Sequence, residues 1–315
     1  MKTIKDDDIL NNISEEQCIK VIEEAFSDYT NGTTTMPHKV YLDLPQFNGD
    51  FRAMPAYNQQ YNIAGIKWVN AHPENIKKNI PSVMATMLIN NPITGELIAI
   101  MEATAITALR TGAAGALGVK YCANYSANTI AFIGTGKQAI TQFNCINTIH
   151  PCDTIYIFDT KSITATKFKS HISQASPAKV IITSSVEEAV CNADIIVTTT
   201  PSTSPIIKKK WLKPSAHINA IGADAKGKQE CDHEIIKNSQ LIVDDMKQAI
   251  ESGEINTGIQ KNIISPKHIS ASLGELITKK KQIDKNKLTL FDSTGLAIQD
   301  LALAGYYLKL NPHTR

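Results

Sequence analysis

Three cations set in apolar sequence, one aspartate and one glycine-rich turn are the places where this chain would do chemistry. Lys39 (Met36-Pro37-His38-Lys39-Val40), Arg52 (Phe51-Arg52-Ala53-Met54-Pro55) and Lys67 (Gly65-Ile66-Lys67-Trp68-Val69) each lie within or beside a β-like run. A cation there is costly unless an anion pairs with it. A carboxylate substrate would supply that anion: Arg offers a planar fork, and Lys a point charge whose proton affinity falls on burial, which makes Lys67 the acid/base candidate. The alternative for each is a strand-edge charge whose head reaches water. Asp224 follows the run His217-Ile218-Asn219-Ala220-Ile221 and a glycine. It is placed to activate a water or take a proton from an amine, or else to make an Asx turn or helix cap.

The turn is Gly134-Thr135-Gly136-Lys137-Gln138-Ala139, entered from the apolar run Thr129-Ile130-Ala131-Phe132-Ile133. This is the G-x-G-x-x-A form of a dinucleotide-binding turn. Gly134 permits the bend, Gly136 lets the backbone approach a pyrophosphate, and the N–H groups of the following helix, from Lys137 and Gln138 on, face the anion. A second run, Thr154-Ile155-Tyr156-Ile157-Phe158, ends in Asp159, about 20 residues on, where a ribose-binding carboxylate belongs. Asp159 would accept from the ribose hydroxyls and repel a 2′-phosphate, favouring NAD over NADP, a preference that Lys161 softens. A magnesium-binding phosphate loop is excluded, because Gly136-Lys137 is followed by Gln138 rather than Ser or Thr.

The elements that must position these groups fall into two patterns. From Thr129 to about Val243, β-branched runs alternate with helical stretches, the pattern of successive βαβ units with a parallel sheet. Strands are expected at 129–133, 154–158, 179–183, 194–198, 217–221, 241–243 and 289–292. Thr199, in Thr198-Thr199-Thr200-Pro201, and Gly222-Ala223 then lie at the carboxyl edge of the sheet, where ligands bind in doubly wound folds. The first 115 or so residues read as an α+β domain: a helix from Ser14 to Tyr29 with Ile19, Val21, Ile22, Ala25 and Phe26 on one stripe, then a strand meander punctuated by Asn48-Gly49-Asp50 and Asn91-Pro92-Ile93-Thr94-Gly95. Thr104 to Tyr121 reads as a close-packed helix containing Arg110-Thr111-Gly112, whose arginine would bind a pyrophosphate or a substrate carboxylate, or else make an interdomain salt bridge. A helix from about Leu296 to Tyr307 is expected to return to the first domain. The division is therefore 1–118 with 293–315 for substrate binding and dimerisation, and 119–292 for the nucleotide.

With 315 residues, 43% hydrophobic and 20% charged, the chain can bury two large cores. A net charge of +2 gives no argument for nucleic acid, and no basic run alternates with aromatics. The six cysteines show no C-x-x-C pair and no histidine spacing for zinc, so no metal is expected and the thiols are read as reduced. No apolar h-region and no apolar span of about 18 residues occurs, which makes the cytoplasm the expected compartment and gives no membrane partner.

Taken together, Phe51-Arg52-Ala53-Met54-Pro55, Gly65-Ile66-Lys67-Trp68-Val69-Asn70-Ala71-His72-Pro73, Leu109-Arg110-Thr111-Gly112-Ala113-Ala114-Gly115, the glycine turn, Ile218-Asn219-Ala220-Ile221-Gly222-Ala223-Asp224 and Phe291-Asp292-Ser293-Thr294-Gly295 resemble the ornithine cyclodeaminase and mu-crystallin family nearly end to end. Within it, Met36-Pro37-His38-Lys39-Val40-Tyr41-Leu42 and Gly253-Glu254-Ile255-Asn256 look most like the archaeal-type alanine dehydrogenase branch. The resemblance implies a homodimer that pairs the sheets of its first domains, with NAD in the second. It implies that Lys39 and Arg52 grip a substrate carboxylate, that Lys67 moves a proton and that Asp224 serves as base. Arg110, the glycine turn, Asp159 and Ser293 would hold the cofactor, with Thr86 near its nicotinamide side. The implied reaction is oxidative deamination of a small L-amino acid such as alanine. Cyclodeamination of ornithine, reduction of a ketimine or imino acid, and ligand sequestration without turnover remain the alternatives.

Overall fold

The computed structural model describes residues 2–312. The chain divides into two compact units, Met1–Arg110 with Leu296–Arg315 and Thr111–Gly295. The break falls inside the helix Thr104–Cys122.

Among the described residues the first unit holds a seven-stranded sheet ordered β1-β7-β6-β5-β4-β2, with β3 also on β4. The strands are β1 (Lys2–Ile4), β2 (Thr34–Thr35), β3 (Val40–Leu44), β4 (Gly49–Asn58), β5 (Ile63–Ala71), β6 (Val83–Asn90) and β7 (Leu97–Glu102). All pairs are antiparallel except β1 with β7. Both anticipated turns close hairpins, β3–β4 across Asn48, which takes φ 47°, and β6–β7 across Gly95, which takes φ 79°. One face of the sheet is covered by the helices Glu15–Asn31 and Ala297–Leu310. The first is capped by Ser14 and buries Cys18, Ile19, Val21, Ile22, Ala25 and Phe26. Register decides what that core receives: Lys67 lies opposite Met54 and Met87, and Arg52 opposite Val69, so these side chains share the covered face. The opposite face keeps Val40, Leu42, Trp68, Met84 and Leu88 exposed.

The second unit is a doubly wound α/β fold. Its eight strands, among the described residues, are all parallel and ordered β10-β9-β8-β11-β12-β15-β13-β14. They are β8 (Thr129–Ile133), β9 (Thr154–Phe158), β10 (Lys179–Ile182), β11 (Ile195–Thr198), β12 (His217–Ala220), β13 (Gln240–Val243), β14 (Ile269–Ser272) and β15 (Thr289–Asp292). Strand order reverses between β8 and β11, the point at which such sheets open a crevice at their carboxyl edge. The runs Ile195–Thr198, His217–Ala220 and Thr289–Asp292 are buried along their whole length, as strands of a parallel sheet covered on both faces are. The strand β14 was not anticipated: Ile-Ser-Ala-Ser offers one short alternation between polar neighbours. Among the described residues no helix is long and apolar enough to cross a membrane.

Candidate active site

The first unit buries a cluster of charge. Lys67 projects from β5 with 1% exposure, and its Nζ lies 2.6 Å from Asp300 Oδ2 and donates to Thr107 Oγ1 at 3.2 Å. Arg110 donates through Nε to Asp300 Oδ1 at 3.1 Å, and through its terminal nitrogen to Gln299 Oε1 at 3.4 Å. Arg52, on the same sheet face as Lys67, forks onto Asp50 at 2.8 and 3.1 Å and sits 5.5 Å from the Tyr41 ring centre. Burial is the main force on the Lys67 ammonium. Asp300 favours the charge and Arg110 and Arg52 oppose it, which together bring the pKa down to about 7. An amine poised near neutrality and walled by two guanidinium groups is equipped to take and return a proton next to an anionic substrate.

In part, this corrects the expectation that a substrate alone must supply the missing anion. The chain provides its own carboxylates, Asp300 for Lys67 and Arg110, and Asp50 for Arg52. Arg110 is accordingly seen in an ion pair with Asp300 of its own unit, whereas the salt bridge anticipated for it was an interdomain one. Lys39 precedes β3 and is half-buried. Thr86 does not join the cluster. It pairs with Trp68, one residue out of phase with the Lys67–Met87 pair, and so lies on the exposed face.

In the second unit the glycine turn stands at the strand-order reversal. Gly134 takes φ +85°, its N–H donates to Phe158 O at 2.9 Å, and its carbonyl accepts from Thr199 Oγ1 at 3.0 Å. Asp159, at the end of β9, reaches across to the turn: Oδ2 accepts from Thr135 N and Oγ1, both at 2.8 Å, while Oδ1 accepts from Lys161 N at 2.8 Å. Burial raises its pKa, but these hydrogen bonds outweigh that and hold the carboxyl below its ordinary range.

Three observations fit a dinucleotide here. A Cβ built on Gly136 would meet nothing within 4 Å, so the space in front of the turn is open. No side chain caps the helix Lys137–Ile149, which begins at the turn with Lys137 and Gln138. Ser293, just beyond β15, has a buried hydroxyl with no hydrogen-bond partner among the described residues.

The loops at the same edge are tied by Glu230, which sequence reasoning missed. Its Oε1 accepts from Thr200 N and Oγ1, both at 2.7 Å, and its Oε2 from Thr198 Oγ1 at 2.7 Å and Gly222 N at 2.9 Å. Two loops that carry anticipated positions, Thr199 on one and Gly222 and Ala223 on the other, are thereby fixed to one buried side chain. Asp224, next in the chain, is part-exposed and pairs with Lys228 at 2.6 Å. Thr111 is buried, and its carbonyl accepts from Gln142 Nε2 at 2.7 Å. No signal marks Glu230 in its loop. Gln299-Asp300 does have one: it is a polar pair inside the otherwise apolar run Leu296–Tyr307.

The ornithine cyclodeaminase/mu-crystallin family matches residues 1–308. Among curated proteins the chain is similar to an alanine dehydrogenase of Archaeoglobus fulgidus, 43% identical over 296 residues, which are 93% of this chain and 89% of that one. Among solved structures it resembles an archaeal alanine dehydrogenase dimer with bound NAD at TM-score 0.94 and 40% identity, covering 99% of this chain and 96% of that one. It also resembles the Thermococcus litoralis Δ1-pyrroline-2-carboxylate reductase in complex with NADH and L-proline, at TM-score 0.95 and 32% identity over 99% of this chain and 98% of that one.

Proposed function

The chain belongs to the ornithine cyclodeaminase/mu-crystallin family, and from that membership we propose that it is an NAD-dependent alanine dehydrogenase, converting L-alanine, NAD and water into pyruvate, ammonia and NADH. The observation that carries this reading is the buried Lys67, with a pKa of about 7, on the same sheet face as the buried Arg52. Arg52 and Lys39 hold the substrate carboxylate. Lys67, in its neutral form, takes a proton from the substrate, and the water that adds to the imino carbon is activated by Asp224, or by Lys67 once it has passed its proton on. NAD, held by the glycine turn, Asp159, Thr199, Gly222, Ala223 and Ser293, supplies the hydride acceptor when bound. Arg110 and Thr111 complete the cofactor set, and Thr86, on the exposed face of the first sheet, is left out of it.

Purified protein given L-alanine and NAD is expected to generate absorbance at the NADH band. Proline and ammonia from ornithine without net NADH would replace this reading by a cyclodeaminase. A second reading is imine reduction, favoured by the likeness to the reductase bound to NADH and proline; it predicts NADH consumption with a cyclic imine and none of the alanine reaction.

Asp159→Ser is expected to relax selection against NADP, because it removes the carboxylate that repels a 2′-phosphate. The ratio of kcat/KM for NAD and NADP measures this, and an unmoved ratio would take Asp159 out of the ribose site. The exposed apolar face of the first sheet, with Trp68 42% and Leu88 40% exposed, supports a homodimer formed through it. Sedimentation at twice the chain mass is expected.

A further inference from the structure

Asp300 touches two cations of the cluster at once. Its Oδ2 lies 2.6 Å from Lys67 Nζ and its Oδ1 accepts from Arg110 Nε at 3.1 Å, and the residue is fully buried. It comes from the helix Ala297–Leu310, whereas Lys67 comes from β5 and Arg110 from Thr104–Cys122. Thr107 stands one turn before Arg110 on that same helix. Its hydroxyl donates to Ala103 O at 2.7 Å, so toward Lys67 its oxygen acts as acceptor at 3.2 Å.

These contacts restrict what a neutral Lys67 can do. An amine has two N–H groups and one lone pair. With Asp300 Oδ2 held against the nitrogen at 2.6 Å and one N–H given to Thr107, the directions left to the lone pair are few. A free lysine side chain turns about four bonds, and nothing in its own chemistry would hold that direction.

We propose that Asp300 is a positioning residue for proton transfer by Lys67: its buried carboxylate fixes the Lys67 nitrogen beside Arg110 and aims the amine lone pair at the substrate. The inference rests on the deamination reading, in which the substrate gives its proton to Lys67 and the resulting ammonium stays paired with Asp300. Charge enters as well as direction. The groups facing Lys67 are Asp300 from one helix, Arg110 and Thr107 from another, and Arg52, itself paired with Asp50, from β4. Removing the carboxylate leaves two guanidinium groups and burial, all of which oppose the ammonium.

The test is Asp300→Asn, close in shape and without charge, read in two ways. The Lys67 amine is titrated by NMR in protein carrying 13C-labelled lysine, its signal assigned by loss in Lys67→Arg. The pH profiles of kcat and kcat/KM are measured with alanine. In Asp300→Asn the titration is expected to fall by roughly one unit or more, the loss of an opposite charge at contact distance. The acid limb of kcat/KM should move with it. The kcat at the pH optimum should drop tenfold or more, on the order of a misdirected acid/base group, while KM for NAD stays put. Asp300→Glu keeps the charge and moves it by one methylene, so it should leave the titration near wild type and still lower kcat.

A purely structural Asp300 would lower yield or Tm without moving the titration. An unchanged Lys67 titration and unchanged kcat in Asp300→Asn would overturn the proposal. Should that variant fail to fold, full kcat in Asp300→Glu would overturn it. A wild-type protein that turns over no amino acid would sink the deamination reading instead, while the NMR titration would still decide whether Asp300 governs Lys67.

Discussion

Lys67→Met is expected to cost about a thousandfold in kcat with alanine, within the range that a positioned acid/base group contributes, and to leave NAD affinity nearly unchanged. Methionine fills a similar apolar volume and asks for no buried counter-ion, and Asp300 keeps Arg110 as its partner. The variant should therefore fold and lose only the proton transfer. Its kcat and a fluorescence titration with NADH separate the two effects, and a kcat equal to wild type would remove Lys67 from the mechanism.

The pH dependence has a definite sign. In oxidation Lys67 must start neutral, so kcat/KM should rise with pH through the region of its pKa, about 7. In the reductive direction the ammonium must give its proton, and the rate should fall as pH rises through the same region. Both limbs should be absent from the residual rate of Lys67→Met.

Arg52→Met is the second large effect. Hydrogen bonds to a charged partner contribute about 1.5–3 kcal/mol, and each 1.4 kcal/mol is tenfold, so KM for alanine should rise by about one to two orders of magnitude. The chemical step should change less, because the carboxylate does not react. Asp50, whose side chain keeps 19% exposure, can rehydrate when its guanidinium is removed, so the fold should survive. An unmoved KM would assign Arg52 to holding Asp50 and leave the substrate carboxylate to Lys39 and other groups.

Much of this was legible because the signals are local. The run Thr129–Ile133 entering Gly134 and Gly136 is a strand, turn and helix in consecutive residues, and Asp159 follows at a fixed distance set by one helix and one strand. The bounds of β8, β9 and β15 fall where the apolar runs opened by Thr129, Thr154 and Thr289 placed them. The burial of Lys67 was anticipated from the cost of a cation in apolar sequence. Its partner was not, since Asp300 lies on a helix more than 200 residues further on and only folding brings it to β5. Thr86 shows the limit of proximity along the chain: a strand alternates faces at every residue, and which face a position takes depends on the register with β5. Glu230 was invisible for the same reason as Asp300. Its partners, Thr198, Thr200 and Gly222, belong to two strand ends that the loop reaches only in the folded state.

The pair formed by Arg110 and Asp300 spans 190 positions of sequence. During synthesis the meander and the helix bearing Arg110 emerge first, carrying Lys67 and Arg110 with no counter-ion at hand. Burying them in that state would leave two uncompensated cations in an apolar core, which is strongly unfavourable. The counter-ion that Lys67 and Arg110 share in the folded unit is therefore supplied only by the last-made segment, the one with Asp300. The ion pair thus works as a clasp, joining a helix from the early part of the unit to the one made last.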